Sequence, residues 1–333
     1  MPELKLATEY PPVNEQRHID SLIAQLRAKM ERDYAKGRTL RDAHPKMHGC
    51  VRAEFTVDAN LPPELAVGVF SRGRGFPAWV RFSNASGDVK PDSKPDIRGV
   101  AFKLMGVEGP KLLEGETDGT TQDFILISAS RFVTRDVAEF DGLVKALVGG
   151  FPAVVFYFVP HFRVLLNLVR LAGRFTNPLA IRYFSVAPYL LGSRAVKYSL
   201  TPRGAPPAVD RKQDSGNFLR EAMAQQLSAS DAVFDFSIQL QTDPYKMPIE
   251  DPSVNWDESL APFQRVATLT IPAQVFDTPS RDEMGDNLSF NPWRTLAEHR
   301  PMGGISRARR QVYRALSKFR HERNQAPHEE PSI

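Results

Sequence analysis

The sequence predicts an α+β protein built on a closed antiparallel β-barrel with flanking helices. Three observations carry that reading. Val51, Ala53, Phe55 and Val57 alternate with polar residues, and Ala232 to Gln241 does the same, the period-two signature of a strand with one buried face. Segments of this kind near 48–57, 65–70, 78–83, 98–104, 122–128, 196–200, 232–241 and 265–271 are enough to close a barrel. Towards the two ends of the chain the apolar residues recur at helical spacing instead, as Ile19, Leu22, Ile23, Leu26 and Met30, then Ile305, Ala308, Val312, Ala315, Leu316 and Phe319. No internal repeat and no sharp break in composition suggests a second domain. The expected organisation is an N-terminal arm and helix over 1–39, one domain over 40–323, and a polar tail over 324–333.

Composition narrows the function. The 333 residues, 42% apolar and 25% charged, are those of an ordinary globular protein. The net charge of +4 is concentrated between Arg300 and Arg323, too locally for a nucleic-acid binder. Cys50 is the only cysteine, so there is no internal disulfide and no metal–thiolate cluster. There is no phosphate loop and no Gly-x-Ser-x-Gly. Met1-Pro-Glu-Leu-Lys5 lacks a signal pattern, so a cytoplasmic location is expected.

Taken in order, an extended lead ends at Pro11-Pro12, and a helix runs from Asn14 to Lys36, stopped by Gly37. It is an arm for the rest of the fold or for a neighbouring subunit, which leaves a homo-oligomer open. His48 opens the first strand on the face of Arg52 and Glu54; periodicity alone leaves it a solvent-facing or hydrogen-bonded histidine. In Phe76 to Asp88 a strand runs into a turn with Arg81 and Ser83 on one face. Asp96 and Arg98 form an acid–base pair at a turn, read as a structural link. Gln122 to Phe140 carries Ser128 and Phe140.

From Ala146 to Phe162 there is no charged residue, but two prolines and two glycines interrupt the run, and Arg163, Asn167 and Arg170 punctuate the apolar residues up to Leu171. A spanning helix needs about 20 apolar residues without such breaks. A transmembrane segment is therefore rejected, and a kinked apolar helix pair is expected, packed in the core, lining an entry route or touching a membrane surface. Pro202 to Gly216 reads as a polar loop, Phe218 to Leu227 as a short helix, and the tail after Asn324 as disordered.

The most telling stretch is Ser306 to His321, uninterrupted by proline or glycine. Arg309 and Tyr313 are four apart and Arg320 lies seven later, so the three project along nearly one line. An arginine one turn before a tyrosine favours the phenolate, a hard anionic ligand for ferric iron. The same stretch also reads as a basic helix for anionic lipid or nucleic acid. Tyr189 has no arginine one turn before it. Tyr198 comes after Arg194, but in a strand, where four residues span roughly 13 Å.

Taken together, Asn287 to Trp293 and Glu298 to Tyr313 resemble the proximal side of the haem catalase superfamily, and more closely its short catalase-related peroxidase branch. Val80-Arg81-Phe82-Ser83, Asp96-Ile97-Arg98-Gly99, Arg309 with Tyr313, and Arg320 match that branch in order and spacing, over roughly residues 40–323. The resemblance implies the catalase-like haem fold and a haem b held non-covalently, since Cys-x-x-Cys-His is absent. It implies Tyr313 as the iron ligand, the ligand type of catalase, with Arg309 keeping it ionised and Arg81 and Arg320 on the propionates. It puts the distal histidine on His48, which would move a proton between the two peroxide oxygens, with Ser83 nearby and Phe140 stacked on the haem. Ser128 falls where the family carries a peroxide-binding asparagine.

The implied function is a haem-dependent peroxidase or weak catalase, reducing hydrogen peroxide or organic peroxides through a ferryl intermediate with an unknown electron donor. A fatty-acid hydroperoxide isomerase or lyase is the alternative, although Met47 stands where the allene oxide synthase relatives usually have threonine. A non-catalytic haem-binding protein and a haem-free membrane-surface protein are the remaining readings. No nucleic acid is expected as a partner, whereas a lipid substrate or a membrane-surface contact stays open.

Overall fold

The computed structural model describes residues 3–204, 215–327 and 330–331. Among the described residues there are nine strands: β1 (Met47–Val57), β2 (Gly75–Asn84), β3 (Arg98–Met105), β4 (Thr121–Ile127), β5 (Tyr183–Phe184), β6 (Tyr189–Leu191), β7 (Arg194–Pro202), β8 (Ala232–Leu240) and β9 (Gln264–Ile271). They pair antiparallel in the order β5-β4-β3-β2-β1-β9-β8-β7-β6, and β5 also pairs with β7. That last pairing closes a ring of eight strands and leaves β6 as a hairpin on β7. Closure removes the exposed edges of an open sheet.

The alternating residues fill the barrel. Phe55, Phe102, Phe124, Tyr198 and Phe236 interlock there, with Phe102 and Phe124 centroids 5.0 Å apart and Phe55 edge-on to Phe236 at 5.2 Å. Such pairs favour offset or edge-to-face geometry and leave no lumen. Any cofactor must therefore lie outside the barrel.

Among the described residues seven α-helices flank it: α1 (Glu15–Asp33), α2 (Val137–Gly149), α3 (Phe151–Phe158), α4 (Phe162–Leu171), α5 (Phe218–Ala229), α6 (Pro279–Asn287) and α7 (Gly304–Asn324). The apolar stripe of α1 packs within the chain, where Ile19, Leu22 and Leu26 meet Val137 and Val144 of α2 and Ile305, Ala308 and Val312 of α7. Arg307 on α7 locks this corner through Glu15 at 2.6 Å and Glu250 at 2.8 Å. Asp136 caps α2 by accepting from the Glu139 amide at 2.8 Å. The Gly-Phe-Pro break between α2 and α3 and the turn at Val159 to His161 produce the kinked helix pair, bent by 107° between α3 and α4. Among the described residues no single helix is long and apolar enough to cross a membrane.

Two expectations are corrected, and two strands are added. The segment 65–70 is not a strand but a turn ending in the 3-10 helix Gly68–Phe70, with Gly68 at φ +57°; its apolar residues face the barrel core without a ladder partner. The short strands β5 and β6 went unpredicted, since two or three residues carry no readable period. The disorder expected of the tail does not extend to Glu330, which meets Lys103 at 2.6 Å and Arg294 at 3.3 Å. Most of the polar loop expected over Pro202 to Gly216 lies outside the described residues.

Candidate functional site

Successive residues of a strand point to opposite faces. On β2, Val80 and Phe82 enter the barrel, so Arg81 and Ser83 stand on its outer face, both almost fully buried beneath other elements. Arg81 donates through Nε to the Gly285 carbonyl at 3.1 Å and through Nη2 to the His44 carbonyl at 3.0 Å. Ser83 Oγ lies 3.0 Å from His44 Nδ1. Gly99, opposite Ser83 on β3, makes room for this ring: a Cβ there would lie 2.5 Å from His44 Cε1 and 2.6 Å from Nδ1. His44 itself sits in the loop before β1 at φ +62°, a backbone conformation histidine tolerates better than most residues. Burial, then the charges of Arg81, Arg309 and Arg41, push its pKa down to about 3. The imidazole is neutral and is held through Nδ1 by Ser83.

His48 is elsewhere. A β-bulge between Met47 and Gly49 turns it off the face of Arg52, and its Nε2 meets Asn84 Oδ1 at 2.6 Å. Asn84 is next to Ser83 on β2 and points to the other face of the sheet, so the two histidines lie on opposite sides. Asn84 Oδ1 also accepts from Arg98 Nη1. Lys46 pairs with Asp92 at 2.7 Å beside them. Within this buried cluster the His48 pKa falls to about 4, mainly by burial and partly offset by Asp92. The position expected of His48 beside Ser83 is occupied by His44.

Ser128 is engaged within the sheet. Its hydroxyl accepts from the Arg98 amide at 2.9 Å, and its own amide donates to the Arg98 carbonyl at 2.8 Å, extending the β3–β4 ladder. The residue across from Gly99 is Ile127. Direct cross-strand partners share a face, so Ile127 projects towards His44, in an apolar group with Ile97, Phe132 and Leu171. The expected link between Asp96 and Arg98 is long, 3.9 Å; Asp96 instead accepts from the Ile97 amide at 2.8 Å and the Ser86 amide at 3.1 Å.

Helix α7 supplies the opposite wall. Tyr313 and Leu316 pack with Phe132 and Phe140, whose rings meet edge to face at 5.2 Å. Among the described residues Arg309 Nη1 is buried without an acceptor. The Arg309 guanidinium lies 5.9 Å from the Phe132 ring centroid, and its charge reaches His44, so the α7 wall and the barrel wall face one another. Tyr198 is part of the barrel core, its hydroxyl 3.4 Å from His299 Nδ1. Tyr189 packs on it, and burial pushes its pKa up to about 12.

Beside these walls three guanidinium groups converge on the C-terminus of α6. Arg81 takes the Gly285 carbonyl, Arg320 those of Asp286 and Leu288, and Arg41 that of Leu288. Burial and mutual repulsion lower the pKa of Arg320 to about 10 and that of Arg41 well below the usual arginine range. Among the described residues, Asp286 is the only carboxylate whose charge bears favourably on both Arg81 and Arg320. Arg41 and His44 have no role in the sequence-based expectation; both lie in a loop, where periodicity says nothing.

The fold is that of catalases. A fungal catalase superposes with a TM-score of 0.68 at 16% identity over 96% of this chain and 66% of its own. A bacterial catalase gives 0.67 at 14% identity over 99% of this chain and 67% of its own. Catalase A from Saccharomyces cerevisiae gives 0.67 at 17% identity over 96% and 68%. This chain thus spans about two thirds of the length of these catalases. No protein-family model matches the sequence, and no curated protein matches it.

Proposed function

We propose that the gap between the outer face of the barrel and α7 holds haem b, and that the protein is a haem-dependent peroxidase or weak catalase. The observation that carries this reading is the set of groups left incomplete around the gap. Among the described residues Arg309 Nη1 is buried without an acceptor, and the His44 ring is held through Nδ1 by Ser83. The buried Arg81 and Arg320 and the half-buried Arg41 meet with helix carbonyls for most of their acceptors. A planar dicarboxylate with a Lewis-acidic centre fits this set: carboxylates on Arg41, Arg81 and Arg320, a metal on the Tyr313 oxygen, and Phe132 and Phe140 along the ring.

When bound, haem supplies the two-electron chemistry that cleaves the peroxide O–O bond. The chain supplies the rest. Arg309, one turn from Tyr313, favours the ionised ligand oxygen. Ser83 fixes His44 through Nδ1 and leaves Nε2 to take a proton from one peroxide oxygen and return it to the other. Burial and three cations keep the ring neutral, which makes it a weak base but one that returns a proton readily once taken.

Ile127 favours a second reading within the same chemistry. With Ile97, Phe132 and Leu171 it makes the wall near His44 apolar, which suits an organic hydroperoxide, including one that is isomerised or cleaved. The test is haem titration of the purified chain, and then turnover of hydrogen peroxide and of a fatty-acid hydroperoxide. Wild type should bind haem one to one with a tyrosinate-type high-spin spectrum, and Tyr313→Phe should lose haem or that spectrum. Haem binding with an unchanged spectrum in Tyr313→Phe would overturn the ligand assignment.

A further inference from the structure

The outer surface of the α3–α4 hairpin is unlike the rest of the molecule. Phe151 is 81% exposed, Phe156 79%, Val159 74% and Val169 66%, and Phe162 and Leu166 stand out beside them. Solvated apolar surface on this scale marks an interaction site. On α4 the residues sort by angle. Val164, Leu168 and Leu171 face inward, onto Val133, Phe132 and Phe140. Phe162, Leu165, Leu166 and Val169 face outward, and Arg163 and Arg170, seven apart, run along the flank between the two faces. Neither arginine makes an ion pair among the described residues, and both are exposed.

Charge says what covers this face. No acidic residue occurs in the sequence between Asp141 and Asp210, so the hairpin itself carries cations alone, and the carboxylates of Asp136 and Glu139, at the start of α2, lie beside Tyr157. A second copy of the same surface would set Arg163 and Arg170 against their own likenesses with no carboxylate from either hairpin to neutralise them. We infer that the α3–α4 hairpin docks the protein on an anionic lipid bilayer, with Phe151, Phe156, Phe162 and Leu166 in the interface and Arg163 and Arg170 at the level of the headgroups. This is the architecture of an interfacial helix: an apolar face at the acyl boundary and basic residues beside it. The 107° bend suits a hairpin lying in the surface, not one crossing it. Its inner face touches Phe132 and Phe140, so docking sets the apolar wall of the candidate site next to lipid. The inference does not depend on which peroxide, if any, is turned over.

The experiment is flotation of the full chain with vesicles of phosphatidylcholine alone and of phosphatidylcholine with phosphatidylglycerol, at low and high salt. Binding is expected to the phosphatidylglycerol vesicles and to weaken with salt. Arg163→Gln and Arg170→Gln should each weaken it roughly fivefold and flatten the salt dependence. Phe156→Asp with Leu166→Asp should abolish it, and circular dichroism should be unchanged because both positions are exposed. Absence of binding to the anionic vesicles, undiminished binding by the Phe156→Asp, Leu166→Asp variant, or a lipid-free dimer that Phe156→Asp dissociates would each overturn the inference.

Discussion

His44 and His48 are close in sequence and on opposite sides of the β1–β2 sheet, so substituting each in turn asks which one meets peroxide. His48 is fully buried, and its ring is tied to Asn84 at 2.6 Å. In His48→Ala, Asn84 Oδ1 keeps its bond from Arg98, so no acceptor is orphaned. The loss is one hydrogen bond plus a ring-sized cavity, about 2–4 kcal/mol of stability. His44 sits in a loop with one side-chain bond, to Ser83. His44→Ala should cost only about 1 kcal/mol, but it removes the proton carrier, a loss of roughly 10²–10⁴ in rate. Urea midpoints measure the first quantity, and stopped-flow absorbance on mixing the haem-loaded chain with peroxide measures the second. Stability and rate should thus part company between the two variants. A His48→Ala chain that stays folded and reacts slowly, beside a His44→Ala chain that reacts normally, would refute the assignment.

Gly99→Ala places a methyl 2.5 Å from His44 Cε1; it should slow the peroxide reaction nearly as much as His44→Ala while costing about 1–3 kcal/mol by overpacking, and a normal rate would show that the ring does not need that space. Ile127→Asn should raise hydrogen peroxide turnover relative to that of an organic hydroperoxide, by at most the roughly 10²–10³ a well-placed donor contributes; an unchanged ratio would place Ile127 away from the peroxide. Ser128→Asn should do nothing of the kind, because the Ser128 hydroxyl serves the Arg98 amide, and its effect should appear only in thermal unfolding. Acid should destabilise the fold early. Burial holds His48 down to about 4 and His299 to about 3, so below about pH 6.5 the unfolded chain takes up protons that the folded chain refuses. Stability is then complete above that pH and falls towards pH 4 by on the order of 1 kcal/mol per pH unit for each histidine. A flat urea midpoint over that range would mean that one or both rings protonate in place.

Much of the barrel was legible because its signal is local. Val51 to Val57 takes the faces that alternation predicts, and so does Ala232 to Phe236; beyond it a bulge between Phe236 and Ser237 and the buried Ser237 and Gln239 remove the wet face that alternation predicts there. The same rule failed at His48 for a physical reason. Counting back from Val51 puts His48 with Arg52, but the bulge between Met47 and Gly49 inserts a residue and changes its face. A bulge of one residue leaves no trace in hydrophobic period. At Ser128 the hydroxyl is taken by the Arg98 amide, and it is the neighbouring Ile127 that faces Gly99. The flanking Asp123 and Arg135-Asp136 fix the neighbourhood to within a position, while a strand demands the position itself, since neighbouring residues face opposite ways. Gly99, whose missing side chain accommodates His44, was visible as a motif letter; its partner in space was not.

Helix α6 shows the deeper limit of reading by period. It buries little besides Gly285, so it has no apolar stripe to announce it. Yet the carbonyls at its C-terminus gather Arg41, Arg81 and Arg320 from a loop, a strand and another helix. A helix C-terminus carries about half an elementary negative charge, which cannot balance three guanidinium groups, and the Asp286 carboxylate is shared with Arg38 at 3.7 Å. Such a cluster is costly to assemble within the chain unless something anionic completes it. The excess of positive charge is therefore better evidence for a carboxylate-bearing ligand than any one of the arginines, because each alone could be read as a surface cation and only their convergence, which no sequence motif records, leaves a charge to be matched.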